Sequence, residues 1–156
     1  MYMRNKSDRY LRLLTQIEKL VAKSPHSLSA MATISAVLKH KMEYYSWCGF
    51  YFLYNGELIC GPYQGPVACQ LLAKHTGVCW KAVDENKVVL VSDVGKFPGH
   101  IACDSRSKSE VVVPVHDASG NVLAVLDVDS FHLDAFDSID AEWLQKIVKL
   151  IEPITL

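Results

Sequence analysis

Two tight-turn signals, each flanked by apolar, β-prone runs, restrict this chain more than anything else in it. Asn55-Gly56 separates the aromatic-rich run Trp47–Tyr54 (WCGFYFLY) from Glu57–Cys60. Asn-Gly at that place marks a hairpin, because both residues tolerate the positive φ that a type I′ turn demands. The second signal, Asp117-Ala118-Ser119-Gly120, joins the apolar run Glu110–His116 to Asn121–Asp129. Hairpins connect antiparallel neighbours, so the middle of the chain is expected to form an antiparallel sheet. A short helix over Val78–Glu85 and a strand over Val88–Val91 fit between the two hairpins.

Outside this stretch the apolar period changes from two to about 3.6. Tyr10, Leu13, Leu14, Ile17, Leu20 and Val21 make one helical stripe, with Ser7 as expected N-cap and Pro25 beyond its end. Leu28, Met31, Ile34, Val37 and Leu38 make a second, with Ser27 as expected cap. Ile139, Trp143, Ile147, Leu150 and Ile151 make a third, with Ser138 as cap and Pro153 after it. The fold class is therefore α+β: one domain over 1–156, with helices within 7–43 and 138–151 flanking a sheet core over 47–130. At 156 residues with 50% hydrophobic and 21% charged side chains, the chain can bury a sizeable core.

A formal net charge of −1 gives no basic excess for nucleic acid and no polybasic arm for a membrane. The amino terminus does not read as a signal peptide, and no apolar stretch approaches the ~20 residues needed to cross a bilayer. A cytosolic setting is the expectation. In a reducing compartment the five cysteines are expected to be free, metal-bound or redox-cycling rather than a structural disulfide framework. Without a Cys-x-x-Cys or a following histidine pair, the spacing argues against zinc.

Three of those cysteines lie in two polar, glycine-containing blocks. Cys69 and Cys79 fall within Gly61–Trp80, and Cys103 within Phe97–Glu110, near His100, Asp104, Arg106 and Lys108. A reactive thiol needs thiolate character, exposure and often a second thiol to recycle it. The local sequence is equally compatible with a redox role and with thiols that merely pack. Asp127 and Asp129 stand two apart on an expected strand and so share one face, and Glu110 opens the partner strand. They either line a solvent edge or cluster at a pocket, where neighbouring carboxyls raise one another's pKa and one can stay protonated as a proton donor.

Together these blocks resemble the free methionine-R-sulfoxide reductases, single-domain enzymes of GAF fold. The likeness is carried by GPYQG-x-x-AC, GVC, FPGHIACDS-x-S-x-SE and VLDVDS, in that order between about Trp47 and Ser130. It implies a GAF-like antiparallel sheet flanked by helices, a small closed pocket, and a cytosolic homodimer that needs no metal or organic cofactor. By the resemblance, Cys103 is the catalytic cysteine, Cys69 the resolving one and Cys79 an auxiliary thiol. Glu110, Asp127 and Asp129 match the acids that hold the substrate's ammonium group and polarise the sulfoxide. Trp47 and Tyr51 match the aromatics around the S-methyl group. Cys48 and Cys60 match no functional position. Trp80 departs from the family's usual glycine after the third cysteine, and its bulk is expected to narrow the loop there. The implied reaction reduces free methionine-R-sulfoxide through a sulfenic acid and an intramolecular disulfide, with thioredoxin as reductant. The rival readings are a ligand-binding GAF sensor without turnover and a thiol redox switch.

Overall fold

Alternation along the strands builds a sheet with two different faces. The structure, a computed structural model, describes residues 2–100 and 103–152, the side chains of residues 2–4 excepted. Six strands are hydrogen-bonded in the order β3-β2-β1-β6-β5-β4, all antiparallel. They are β1 (Trp47–Tyr54), β2 (Glu57–Gln64), β3 (Leu71–Leu72), β4 (Val89–Val91), β5 (Ser109–His116) and β6 (Val122–Ser130). The helices are α1 (Tyr2–Val21), α2 (Ser27–Lys41), α3 (Gly77–Glu85) and α4 (Ser138–Val148). Asn55 and Gly56 both adopt positive φ, 49° and 72°, at the first hairpin turn.

One face takes Cys48 and Phe50 from β1, Val111, Val113 and Val115 from β5, and Ala124, Leu126 and Val128 from β6. The stripes of α1, α2 and α4, including Tyr10, Ile17, Ile34, Leu38, Leu144 and Ile147, cover it. Each fully buried Leu, Ile or Phe there contributes about 1.5–3 kcal/mol. The other face presents Trp47, Tyr51, Val112 and Val125, and only α3 with the neighbouring loops packs on it. That asymmetry leaves room for a cavity on the thinly covered side.

A buried polar cluster fastens the helical layer. Asp140, fully buried, accepts from the hydroxyls of Tyr10 and Tyr44 at 2.6 Å each, from the Asp137 N–H at 2.8 Å, and from Lys6. Lys6 reaches α4 from within α1, which starts at Tyr2, so Ser7 lies inside the helix and does not cap it. Ser27 and Ser138 are likewise first helical residues and not caps. His26 Nδ1 accepts from Leu28 N–H at 3.1 Å, and Asp137 forms a capping box with Asp140. β2 runs to Gln64, beyond the expected Cys60, because β1 needs a partner along its full length and Cys48 pairs with Gln64. α4 ends at Val148 and not at Ile151. Pro153 lies outside the described residues, as do Ile101 and Ala102 of the Cys103 block.

Candidate active site

Strand register gathers the acids. Glu110 of β5 pairs directly with Asp129 of β6, and Asp129 pairs on its other side with Trp47 of β1. Asp127 pairs with Gly49, whose lack of a side chain lets the Trp47 ring and Tyr63 close in beside the strand. Directly paired residues bring their Cβ atoms to about 4.5–5.5 Å, and the period of two sends Asp127 and Asp129 to the same face. That face is the one opposite the helical layer.

Here a cavity of about 220 Å³ opens between the sheet, the first turn of α3, the segment Pro66–Cys69 and the segment containing His100 and Cys103. All eight residues singled out in the sequence line it: Trp47, Tyr51, Cys69, Cys79, Cys103, Glu110, Asp127 and Asp129. Trp47 is held by stacking on Tyr51 and Tyr63, with ring centroids at 5.8 and 5.2 Å, and by donating from Nε1 to the Pro66 carbonyl at 3.1 Å. The Tyr51 hydroxyl donates to the Cys69 carbonyl at 3.4 Å, which ties the aromatic wall to the cysteine segment.

Cys69 and Cys103 are joined by a disulfide, their Cα atoms 5.6 Å apart and 34 residues apart in sequence. The structure thus shows an oxidised state. Cys103 is exposed and Cys69 half-buried. Cys48, Cys60 and Cys79 are free. Cys48 is fully buried on the opposite face of the sheet. Burial raises the Cys60 thiol and holds Cys48 far above the usual thiol range, so neither is a nucleophile near neutral pH.

Cys79 occupies the third position of α3, where a helix N-terminus ordinarily lowers a thiol pKa. Burial opposes this, and so do the charges of Asp127, Glu110 and Asp129, and the pKa lies well above normal. Cys79 is therefore a neutral thiol, its Sγ 4.0 Å from Glu110 Oε1. Trp80 does not itself line the cavity: it is 3% exposed, packs in the same cluster as Cys79, and its indole donates to the Leu72 carbonyl at 3.4 Å.

Desolvation sets the protonation of the acids. Glu110 and Asp127 are 4% and 6% exposed, and Asp129 is half-buried in the cavity wall. Burial lifts Glu110 well above the carboxylate range, and Asp127 and Asp129 lift it further. Burial lifts Asp129 likewise, with the charges of Asp127 and Asp104 adding to it. Burial lifts Asp127 less, to about 6, because Glu110 and Cys79 hydrogen-bond to its ionised form. Near neutral pH the cluster thus combines carboxylic acids that hold protons with one that titrates close by.

Cys79 Sγ and one oxygen each from Glu110 and Asp127 lie within 4.8 Å of one another, close enough for three ligands to share a cation. A metal there would have to displace the protons that burial keeps on these groups, which weakens such binding. Three polar atoms in the cavity wall are buried without a partner among the described residues: Asp127 Oδ1, Ser46 Oγ and His100 Nε2. Buried polar atoms without partners cost free energy, and in a cavity wall they mark contacts kept for a ligand. Sequence reasoning missed Ser46, Gly49 and Tyr63. His100 was noticed beside Cys103, but nothing in its sequence setting pointed to an unpaired nitrogen.

The sequence matches the GAF domain family over residues 30–154. It is 38% identical to a free methionine-R-sulfoxide reductase of Saccharomyces cerevisiae, over 94% of this chain and 86% of that protein. It is 36% identical to a free methionine-R-sulfoxide reductase of Escherichia coli, over 96% and 90%. Its fold superposes with a TM-score of 0.91 on the free methionine-R-sulfoxide reductase of Neisseria meningitidis solved in complex with its substrate. The two are 40% identical, and the match covers 95% of this chain and 89% of that one.

Proposed function

Because the chain belongs to the GAF-domain free methionine-R-sulfoxide reductases, a family of oxidoreductases, we propose that it reduces free L-methionine-R-sulfoxide with Cys103 as nucleophile and Cys69 as resolving thiol. The observation that carries this reading is the Cys69–Cys103 disulfide in the wall of a cavity that also holds three buried carboxyls.

In the reduced enzyme the Cys103 thiolate attacks the sulfoxide sulfur. The sulfoxide oxygen is a poor leaving group until protonated, and Glu110 and Asp129, whose protons are retained by burial, supply the general acid. Oxygen passes to Cys103, methionine departs, and Cys103 is left as a sulfenic acid. The Cys69 thiol condenses with it, releasing water and forming the disulfide. Asp127, with its unpaired Oδ1 and lower pKa, holds the substrate's ammonium group. Trp47 and Tyr51 enclose the S-methyl group. Burial and acidic neighbours disfavour the Cys79 thiolate, which supports an auxiliary role over a resolving one.

A dithiol must then reduce the disulfide. We assign that step to thioredoxin, in a cytosolic, homodimeric enzyme. Among the described residues no helix is long and apolar enough to cross a membrane.

The test is NADPH consumption with thioredoxin and its reductase, with methionine quantified directly. Free L-methionine-R-sulfoxide should be turned over. The N-acetylated substrate should react at least about tenfold more slowly, because it offers no ammonium and leaves a buried acceptor unpaired. Ligand binding without turnover would return the chain to the sensor reading. Comparable kcat/KM for the two substrates would remove the ammonium role of the acids.

A further inference from the structure

A free amino acid brings two charges into the cavity, and the acids account for only one. Its α-carboxylate enters a site already lined by Glu110, Asp127 and Asp129, where an anion without donors is strongly disfavoured. Among the described lining residues none is lysine or arginine, and His100 is the one side chain able to carry positive charge. Asp104, the remaining acid of the wall, is already matched by Arg106, whose Nη2 donates to Oδ2 at 2.8 Å. His100 Nε2 is buried and has no hydrogen-bond partner among the described residues, although the ring as a whole is only half-buried. Such a nitrogen loses a hydrogen bond unless a ligand completes it.

Its surroundings suit an anion. A Cβ on the adjacent Gly99 would lie 3.5 Å from Cγ2 of Thr76, the N-cap of α3, so the His100 segment packs beside that helix end. Thr76 makes no side-chain capping bond, and its hydroxyl donates instead to the Lys74 carbonyl at 3.1 Å. The first-turn residues Gly77, Val78 and Cys79 also line the cavity, and the N–H groups of a first turn have no intrahelical acceptor. Burial keeps the imidazole below the usual histidine range, so near neutral pH it is an uncharged donor.

We propose that His100 Nε2 reads the α-carboxylate of the free amino-acid substrate, with the first turn of α3 beside it, while the acids hold the ammonium and sulfoxide. This rests on the proposed reductase activity. It makes His100 a substrate-binding residue that selects the free amino acid at its second charge.

The experiment compares free L-methionine-R-sulfoxide with its carboxamide, which keeps the ammonium and the sulfoxide but not the anion. Wild type, His100→Ala and His100→Gln are assayed for kcat and KM with a dithiol reductant. In His100→Ala, KM for the free acid should rise about 10- to 100-fold, the effect of losing a charge-assisted hydrogen bond, with kcat held within about threefold. KM for the carboxamide should hardly move, so the preference of the wild type for the acid collapses. His100→Gln keeps an N–H donor and should recover part of that preference, and it carries the test if the alanine variant does not fold. An unchanged preference in both variants overturns the proposal. So does a fall in kcat shared by both substrates, which would place His100 at the sulfoxide or behind Cys103. Failure of the wild type to reduce the free acid would instead strike the reductase reading itself.

Discussion

At the scale of single residues, the five cysteines divide by environment. Cys103→Ser should abolish turnover, while Cys48→Ser and Cys60→Ser keep it, because both lie outside the disulfide and burial suppresses their thiolates. Cys69→Ser should release about one methionine per site in a single turnover and then stall with thioredoxin, since attack precedes resolution. Full steady turnover in that variant would move resolution to Cys79. The acids also set a pH dependence of stability. Glu110, Asp127 and Asp129 titrate higher in the folded chain than ordinary carboxyls. The folded state therefore binds more protons than the unfolded one above pH ~4, and the cluster's contribution declines as pH rises through the folded values. Asp127, at about 6, loses its share first. Asp127→Asn should raise the melting temperature at pH 8 by roughly 2–6 °C and flatten its fall between pH 5 and 8. A less stable variant at pH 8 would contradict this.

At the scale of elements, β1 is the strand that both faces depend on. Gly49 sits where its register with β2 shifts, opposite Tyr63, and opposite Asp127 on β6. A Cβ there would lie 2.7 Å from Trp47 Cη2 and 2.8 Å from Tyr63 Cα. Gly49→Ala should therefore cost about 1–3 kcal/mol by overpacking and raise KM, because the displaced Trp47 lines the cavity. Urea unfolding and steady-state kinetics check it together, and wild-type values in both would refute it. On the other face, Asp140→Ala would leave the Tyr10 and Tyr44 hydroxyls without this acceptor and the Lys6 ammonium with Asp137 alone. It should cost about 3–5 kcal/mol, as removal of one partner from a buried ion pair does. Activity per folded molecule should stay near normal, since the sheet separates this cluster from the cavity. A matching loss of kcat would show the faces to be coupled.

At the scale of the whole molecule, the disulfide closes a long loop across the thinly covered face. A cross-link of 34 residues restricts the unfolded chain enough to stabilise the oxidised form by about 2–4 kcal/mol. Reduction should lower the melting temperature by roughly 5–12 °C, measured by circular dichroism with and without a dithiol. Equal melting points would mean that the closed and open states differ only locally.

Much of this was legible in the sequence, for a physical reason in each case. The hairpin at Asn55-Gly56 and the strand β1 over Trp47–Tyr54 follow from turn chemistry and period, which are local. The shared face of Asp127 and Asp129 follows from the pleat. All eight candidate residues, named from the cysteine blocks, from VLDVDS and from the aromatic run of β1, line one cavity. Helix starts were not legible. His26 and Asp137 cap α2 and α4 in place of the serines that follow them, and α1 starts well ahead of Ser7. Nor was the short strand β3, whose two residues pair only because β2 lies alongside. The packing of Trp80, the unpaired nitrogen of His100 and the protonation of the acids arise only when distant segments meet. Burial, not residue type, leaves one polar atom without a partner and holds a proton on another.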